Sequence, residues 1–473
     1  MSKTLVWFMA AGLAGCATDP NLESTDEFLS RHNGFIPNGV QIPNENGHST
    51  TISSQGRIDL SNEFFQDLGI NQRRCISCHL PTAQWTVTPE QMQFTFEVTR
   101  GGVRDDGFGL GAAFRLNDGA NSPNAAVGTL EERRAAYSML LNKGLIRVGI
   151  GIPMGAEFSL VTADDPYGFA HAGELSLFRR PLPATNLKFL STVMWDGRET
   201  FKDEMGEFKS IHFDLSDQAN GATQGHAQSP VPLSDAQREA IVAFETSLAT
   251  AQVQDNKAGS LTSGGATGGP AAIFGEEFHI GINDNFGDPV TGAPFTPIVF
   301  DLYDKWQGSS KKDRAQIARG QKLFNTRTIH LSGVNGLNVD GLNLGDFDGT
   351  CTTCHNTPNA GDHSVVAPLN IGLVAESERT PDMPLYVLQC NAGPHAGQVY
   401  RVTDPGRALI SGKCADIGKF KGPILRALSG RAPYFHNGSA ATLGDAVDFY
   451  DRRFNMHLTK NEKADLVAFL GAL

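Results

Sequence analysis

Apolar residues recur at helical spacing near both ends of two long stretches of this chain, with start signals ahead of them. Ser234 and Gln237 form a capping box before Ile241, Val242 and Leu248, and Thr459 and Glu462 do the same before Leu466, Val467 and Leu470. A short helix from Asn62 to Leu68 opens the first stretch, and Ile317, Leu323 and Phe324 mark one opening the second. Within the first stretch, Thr129 and Glu132 cap a further run through Tyr137, Leu140 and Leu141 that Gly144 closes. Strand patterns are brief, with Leu145–Ile150 and Phe158–Val161 as the candidates. The expected fold is mainly α: two helical domains with long irregular loops.

With 473 residues, 40% hydrophobic content, 52 Gly and 24 Pro, the chain has room for two or three loop-rich domains. The Gly- and Ser-rich stretch Ala258 to Pro270 marks a connection. The expected division is a first domain over 52–250, a connecting segment over 251–299 and a second domain over 300–473. Lys and Arg number 39 against 51 Asp and Glu, a formal charge of -12, which argues against a nucleic-acid partner. It favours soluble partners with positive patches.

At the N-terminus, Lys3 precedes an apolar run from Leu5 to Ala14 that is too short to span a bilayer and reads as a signal peptide over 1–15. The run ends in Leu13-Ala14-Gly15-Cys16, which resembles a bacterial lipobox with Cys16 as the lipidated residue. Ala17 is not the Asp associated with inner-membrane retention, so the anchor points to the outer membrane on its periplasmic side, with the cell surface also open. The lipid is then the chain's one membrane contact. Thr, Asn, Ser and Pro residues over 16–51 suggest a flexible tether.

Candidate chemistry lies in two Cys-x-x-Cys-His runs: Cys75, Cys78 and His79, then Cys351, Cys354 and His355. Two thiols at this spacing add to the two vinyl groups of haem, and the following His reaches the iron from one face. A zinc site would need four ligands from the two pairs to converge, and it does not account for a His after each pair. Cys390 and Cys414 remain, and in an oxidising compartment they are expected to form a disulfide, with two free thiols as the alternative.

Further motifs carry a resemblance. Trp195-Asp196-Gly197-Arg198, Leu425-Arg426, the run Ala432 to Ser439, Ala441-Thr442-Leu443 and Ala446-Val447 resemble the di-haem bacterial cytochrome c peroxidase and MauG superfamily. With both haem motifs, the likeness extends from about Arg57 to Leu473, and 101–177 looks like an insertion in the first domain. It implies two cytochrome c-like domains, two covalently bound haems c, and a peroxidase-type oxidoreductase acting on hydrogen peroxide. His79 would be the proximal ligand of the reactive first haem, His355 that of an electron-storing second haem, and Trp195 the bridge between them.

At the second haem, Tyr450 stands where the peroxidases commonly place an axial Met, whereas MauG-type enzymes have Tyr; Met456 is the alternative ligand, with Met383 and His363 in the same segment. On the distal side of the first haem, Gln218 and Ala219 match the family, but Gln228 replaces the acid–base Glu, leaving His226 as the nearby group able to carry a proton. The family's calcium site is in question: its Asn is missing upstream of Trp195, although Asn186 is near. Arg179 and Arg180 could face haem propionates or be a solvated pair. The electron donor would be a small redox protein, or a Trp or Tyr of a protein substrate as in MauG. A haem oxygenase, a non-enzymatic electron carrier and a homodimer remain open.

Overall fold

Helix Lys460–Gly471 lies directly on helix Lys312–Thr326, and the contact needs a glycine. A Cβ on Gly320 would stand 1.9 Å from the Asp465 carbonyl oxygen, so any other residue would push the helices apart. Beside this crossing, Arg319 grips the Asp465 carboxylate through two bonds of 2.8 Å. Phe300, Phe324 and Phe469 pack between the elements, with ring centroids 5.3 to 5.7 Å apart. Helix Leu443–Arg453, capped by Thr442 and Asp445, completes the set around the Cys351 motif.

The first half is assembled in the same manner from helices Ile211–Gly225 and Asp235–Thr246 and the turn Glu63–Phe65. Phe64, Phe65, Trp85 and Phe244 form its aromatic core, with centroids 5.0 to 6.5 Å apart. The boxes expected at Ser234, Thr129 and Thr459 all form. The helix expected after Thr129 is broken at Tyr137 into Leu130–Ala136 and Ser138–Lys143, and Gly144 closes it in the left-handed region.

This computed structural model describes residues 23–473, so the signal peptide and Cys16 lie outside the described residues. The tether expected over 16–51 is not what residues 25–51 form. Helix Thr25–Ser30 buries Phe28 and Leu29, and strand Gly47–Ser53 sits between Gln41–Asn44 and Leu248–Asp255 in a four-stranded antiparallel sheet. Composition misleads because the polar residues are used internally: Thr51 bonds Thr250 at 2.8 Å, Ser53 bonds Ser247 at 2.9 Å, and the Trp85 indole donates to Thr51. The same sheet overrides the boundary expected after residue 250, which falls inside strand Leu248–Asp255.

The mainly α expectation holds only in part. Among the described residues eleven α-helices are joined by five small antiparallel sheets. Strands Ile146–Ile150 and Leu175–Arg179 pair with each other, and strand Phe158–Asp164 pairs with Leu385–Cys390 from the distant second half, which in turn pairs with Val399–Val402. Cys390, the last residue of strand Leu385–Cys390, is disulfide-bonded to Cys414. The segment 101–177 is thus tied to residues of both halves. Among the described residues no helix is long and apolar enough to cross a membrane.

Candidate haem sites

Each Cys-x-x-Cys-His run is built to one plan. A 3-10 turn, Cys75–Ser77 or Cys351–Thr353, follows a residue, Arg74 or Thr350, whose amide donates at 3.0 Å to a hydroxyl three positions on, Ser77 or Thr353. The His Nδ1–H then donates to a carbonyl six positions further on: His79 to Trp85 at 3.1 Å and His355 to Gly361 at 2.6 Å. An aromatic ring from the preceding helical turn flanks each imidazole, Phe64 at 6.1 Å from His79 and Phe324 at 6.0 Å from His355. Burial pushes both imidazoles down to about 4, so they stay neutral at ordinary pH. With Nδ1 committed, the Nε2 lone pair is the group left for a metal.

Both runs border large apolar cavities. The first, about 200 Å³, is lined by Cys75, Cys78 and His79 with Leu187, Leu190 and Leu215 among others. The second, about 230 Å³, is lined by Cys351, Cys354 and His355 with Val447, Leu466 and Leu470. Trp195, Lys421 and Pro423 border both. The Trp195 indole donates to the Arg180 carbonyl at 2.7 Å, and its ring lies 6.1 Å from His436.

Charges on the first wall test the fit. Arg179 is spent on Asp196 and Asp404, at 2.5 and 2.7 Å, in the interior. Arg180 and Arg431 are also buried against this cavity, yet they bond only carbonyl oxygens, and Arg431 Nε has no partner. Burial pushes Arg180 down to about 9 and Arg431 to about 10. Two buried guanidiniums without a carboxylate call for an anionic ligand group, which haem propionates supply. The residues therefore fit a covalently attached c-type haem. The alternative of a solvated Arg179–Arg180 pair fails, because the sequence bears no trace of the fold that buries both.

The expected distal residues separate. Gln218, on helix Ile211–Gly225, and His226, at its end, line the first cavity. Gln228 does not: it is exposed in a left-handed turn past the helix end, and its amide oxygen accepts from Asn71 at 3.2 Å. His226 Nδ1 instead meets Asp118 Oδ2 at 2.6 Å, a residue from the expected insertion that lines the same wall. Sequence reasoning missed Asp118, more than a hundred positions away, and also Glu245, whose carboxylate faces this cavity buried with Oε2 unpartnered. Burial raises Glu245 to about 8. The position in a helical run is the signal that concealed it.

The second cavity brings together Tyr450, Met456 and His363, and adds His436, whose buried Nε2 is unpartnered. Tyr450 faces the Cys351 and Cys354 thiols, and burial raises its phenol. Met383 is elsewhere, packed with Met139, Leu145 and Phe178. The Asn186 amide donates to the Thr250 carbonyl at 2.9 Å, and its oxygen accepts from the Thr250 amide at 3.0 Å.

No family model matches the chain. Among curated proteins it is 34% identical over 144 residues to cytochrome-c peroxidase IdrP2 of Denitromonas iodatirespirans, covering 28% of this chain and 38% of that protein. IdrP1 of the same organism is 31% identical over 188 residues, 36% of this chain and 44% of the relative. Cytochrome c551 peroxidase of Nitrosomonas europaea is 37% identical over 99 residues, 18% of this chain and 30% of the relative. The chain thus matches less than half the length of each of these relatives. Over these stretches the chain is similar to bacterial cytochrome-c peroxidases.

Proposed function

We propose that the chain reduces hydrogen peroxide in the first cavity and draws the electrons through the second from a redox partner on the periplasmic side of the envelope. The observation that carries this reading is that one indole, Trp195, borders both cavities. Two haems c would be held, one by Cys75, Cys78 and His79 and the other by Cys351, Cys354 and His355. Bound haem supplies an iron that accepts peroxide oxygen and passes electrons.

The chain's residues supply the rest. His79 and His355, fixed through Nδ1, would each hold an iron through Nε2. Arg180 and Arg431 would neutralise the propionates of the first group. Peroxide reduction to two waters consumes two electrons and two protons, so a group must move a proton between the oxygens; His226 has the chemistry for it and an amide does not. Trp195 would pass oxidising equivalents toward the second cavity, where Tyr450, favoured over Met456, would help hold the group. An oxygen ligand stabilises the oxidised metal better than a thioether. The same Tyr450 supports a second reading, in which the final electron source is a Trp or Tyr of a protein substrate. Cys16 as a lipid anchor belongs to this proposal also.

Optical and paramagnetic resonance spectra of the haem-loaded protein test the reading. High-spin ferric haem at one site is expected in at least one redox state, followed by turnover of peroxide with a reduced small cytochrome. Six-coordinate low-spin haem at both sites in every state would make the chain an electron carrier and end the peroxidase reading.

A further inference from the structure

His226 ends helix Ile211–Gly225 with its ring on the wall of the first cavity and its Nδ1 on Asp118 Oδ2 at 2.6 Å. No protein group bonds its Nε2 among the described residues. Asp118 is itself held in place from several directions. Arg73 approaches the same carboxylate at 3.5 Å, and the Arg147 amide donates to the Asp118 carbonyl at 2.8 Å. Arg73 also donates to the His226 carbonyl at 3.0 Å and to the Asn117 carbonyl at 2.8 Å, so one guanidinium fixes both members of the pair. Asp118 sits at a φ of 63°, in the left-handed region that Asp tolerates better than most side chains. Although burial opposes ionisation, the His226 bond and the His226, Arg73 and Arg147 charges together hold its carboxyl below the usual range.

We propose that Asp118 is a positioning residue for proton transfer: it fixes His226 with hydrogen on Nδ1 and the Nε2 lone pair free, and it stabilises the imidazolium that forms. The segment 101–177 then has a task, which is to bring a carboxylate to a proton carrier that stands apart from the family's Glu. The proposal rests on the reading of His226 as the proton carrier. In the step, one proton leaves a peroxide oxygen for Nε2 and is returned to the other oxygen as the O–O bond breaks. That oxygen departs as water, and the oxygen left behind becomes the second water once it has received two electrons from the redox partner through the second site and two protons from solvent. A neighbouring carboxylate is the usual device for holding a histidine in the tautomer that can accept such a proton.

The test uses the full haem-loaded chain and two readouts, one without turnover. Fluoride, which enters a ferric site together with a proton, is titrated optically, and the single-turnover rate with peroxide is measured by stopped flow. Asp118→Asn presents an N–H to Nδ1 and moves the hydrogen to Nε2. It is expected to weaken fluoride binding about tenfold, the scale of one charge-assisted hydrogen bond, and to slow the peroxide step by at least about 10²-fold, the lower range for acid–base catalysis. Asp118→Glu, which keeps the charge, should recover most of both. In Asp118→Asn/His226→Gln the effect should equal that of His226→Gln alone. Wild-type fluoride affinity and rate in Asp118→Asn would overturn the proposal, as would a double variant worse than His226→Gln by the full Asp118→Asn factor. If His226→Gln is itself unaffected, the reading of His226 fails instead, which separates the two. Should Asp118→Asn not accumulate with haem, Asp118→Ser, smaller and uncharged, is read by the same measurements and must lose fluoride affinity.

Discussion

The Trp195 indole nitrogen donates to the Arg180 carbonyl at 2.7 Å, which pins the ring where it borders both cavities and fixes the backbone of a buried arginine on the first. Trp195→Phe keeps an aromatic ring but removes this donor, leaving the Arg180 carbonyl without it. The expected stability loss is about 1–3 kcal/mol, read from denaturant midpoints. If the ring carries charge between the sites, the second site's optical change after peroxide addition must also lag behind the first. Simultaneous changes at both sites in Trp195→Phe would remove the indole from the path.

Tyr450 and Met456 both reach the second cavity, so paired variants decide between them. With Tyr450 as the ligand, Tyr450→Phe should raise the second site's reduction potential by on the order of 0.1 V, because an oxygen ligand that favours the oxidised metal is lost. Met456→Leu should leave the potential and the spectrum close to wild type. A shift confined to Met456→Leu would transfer the ligand role to the thioether.

Local signals were legible in the sequence and long-range pairings were not. The motifs at Cys75 and Cys351 and the boxes at Ser234 and Thr459 involve residues three or four apart; the motifs fold as 3-10 turns and the boxes form as helix caps. The ladder joining Phe158–Asp164 to Leu385–Cys390 is set by packing between distant segments, and neither strand alone announces its partner. The 25–51 segment reads as solvated chain by composition, yet its Thr50 and Thr51 hydroxyls bond Val40 and Thr250 inside the fold. Gln228 drew attention by its offset from Gln218, yet the helix ends before it and the chain turns outward. Asp118 had no local mark at all.

The Cys390–Cys414 disulfide closes a loop with a sequence separation of 24 and starts from the strand that ties residues 101–177 to the second half. Chain-entropy reasoning gives such a bridge about 3 kcal/mol. Cys390→Ala/Cys414→Ala should therefore lower the unfolding free energy by that amount while leaving both haem spectra unchanged, since neither cysteine lines a cavity. Loss of haem attachment in this variant would mean that the sheet is needed for the sites to form.

Glu245 gives a pH signature with a definite sign. Burial raises its carboxyl from 4.5 to about 8, and no hydrogen bond relieves Oε2. Below pH 4.5 the folded and unfolded chains both hold this proton, and the neutral acid carries no penalty. Between 4.5 and about 8 the unfolded chain has released the proton and the folded chain retains it. Stability then falls as pH rises, by at most roughly 4–5 kcal/mol, and the loss is complete above the folded value. Glu245→Gln, neutral at every pH, must lack this contribution. Unfolding midpoints measured between pH 5 and 8 should decline less steeply in the variant than in the wild type, because other groups titrate equally in both. Parallel profiles would mean that Glu245 ionises freely in the folded protein, and the cavity would have to admit water or a cation at that wall.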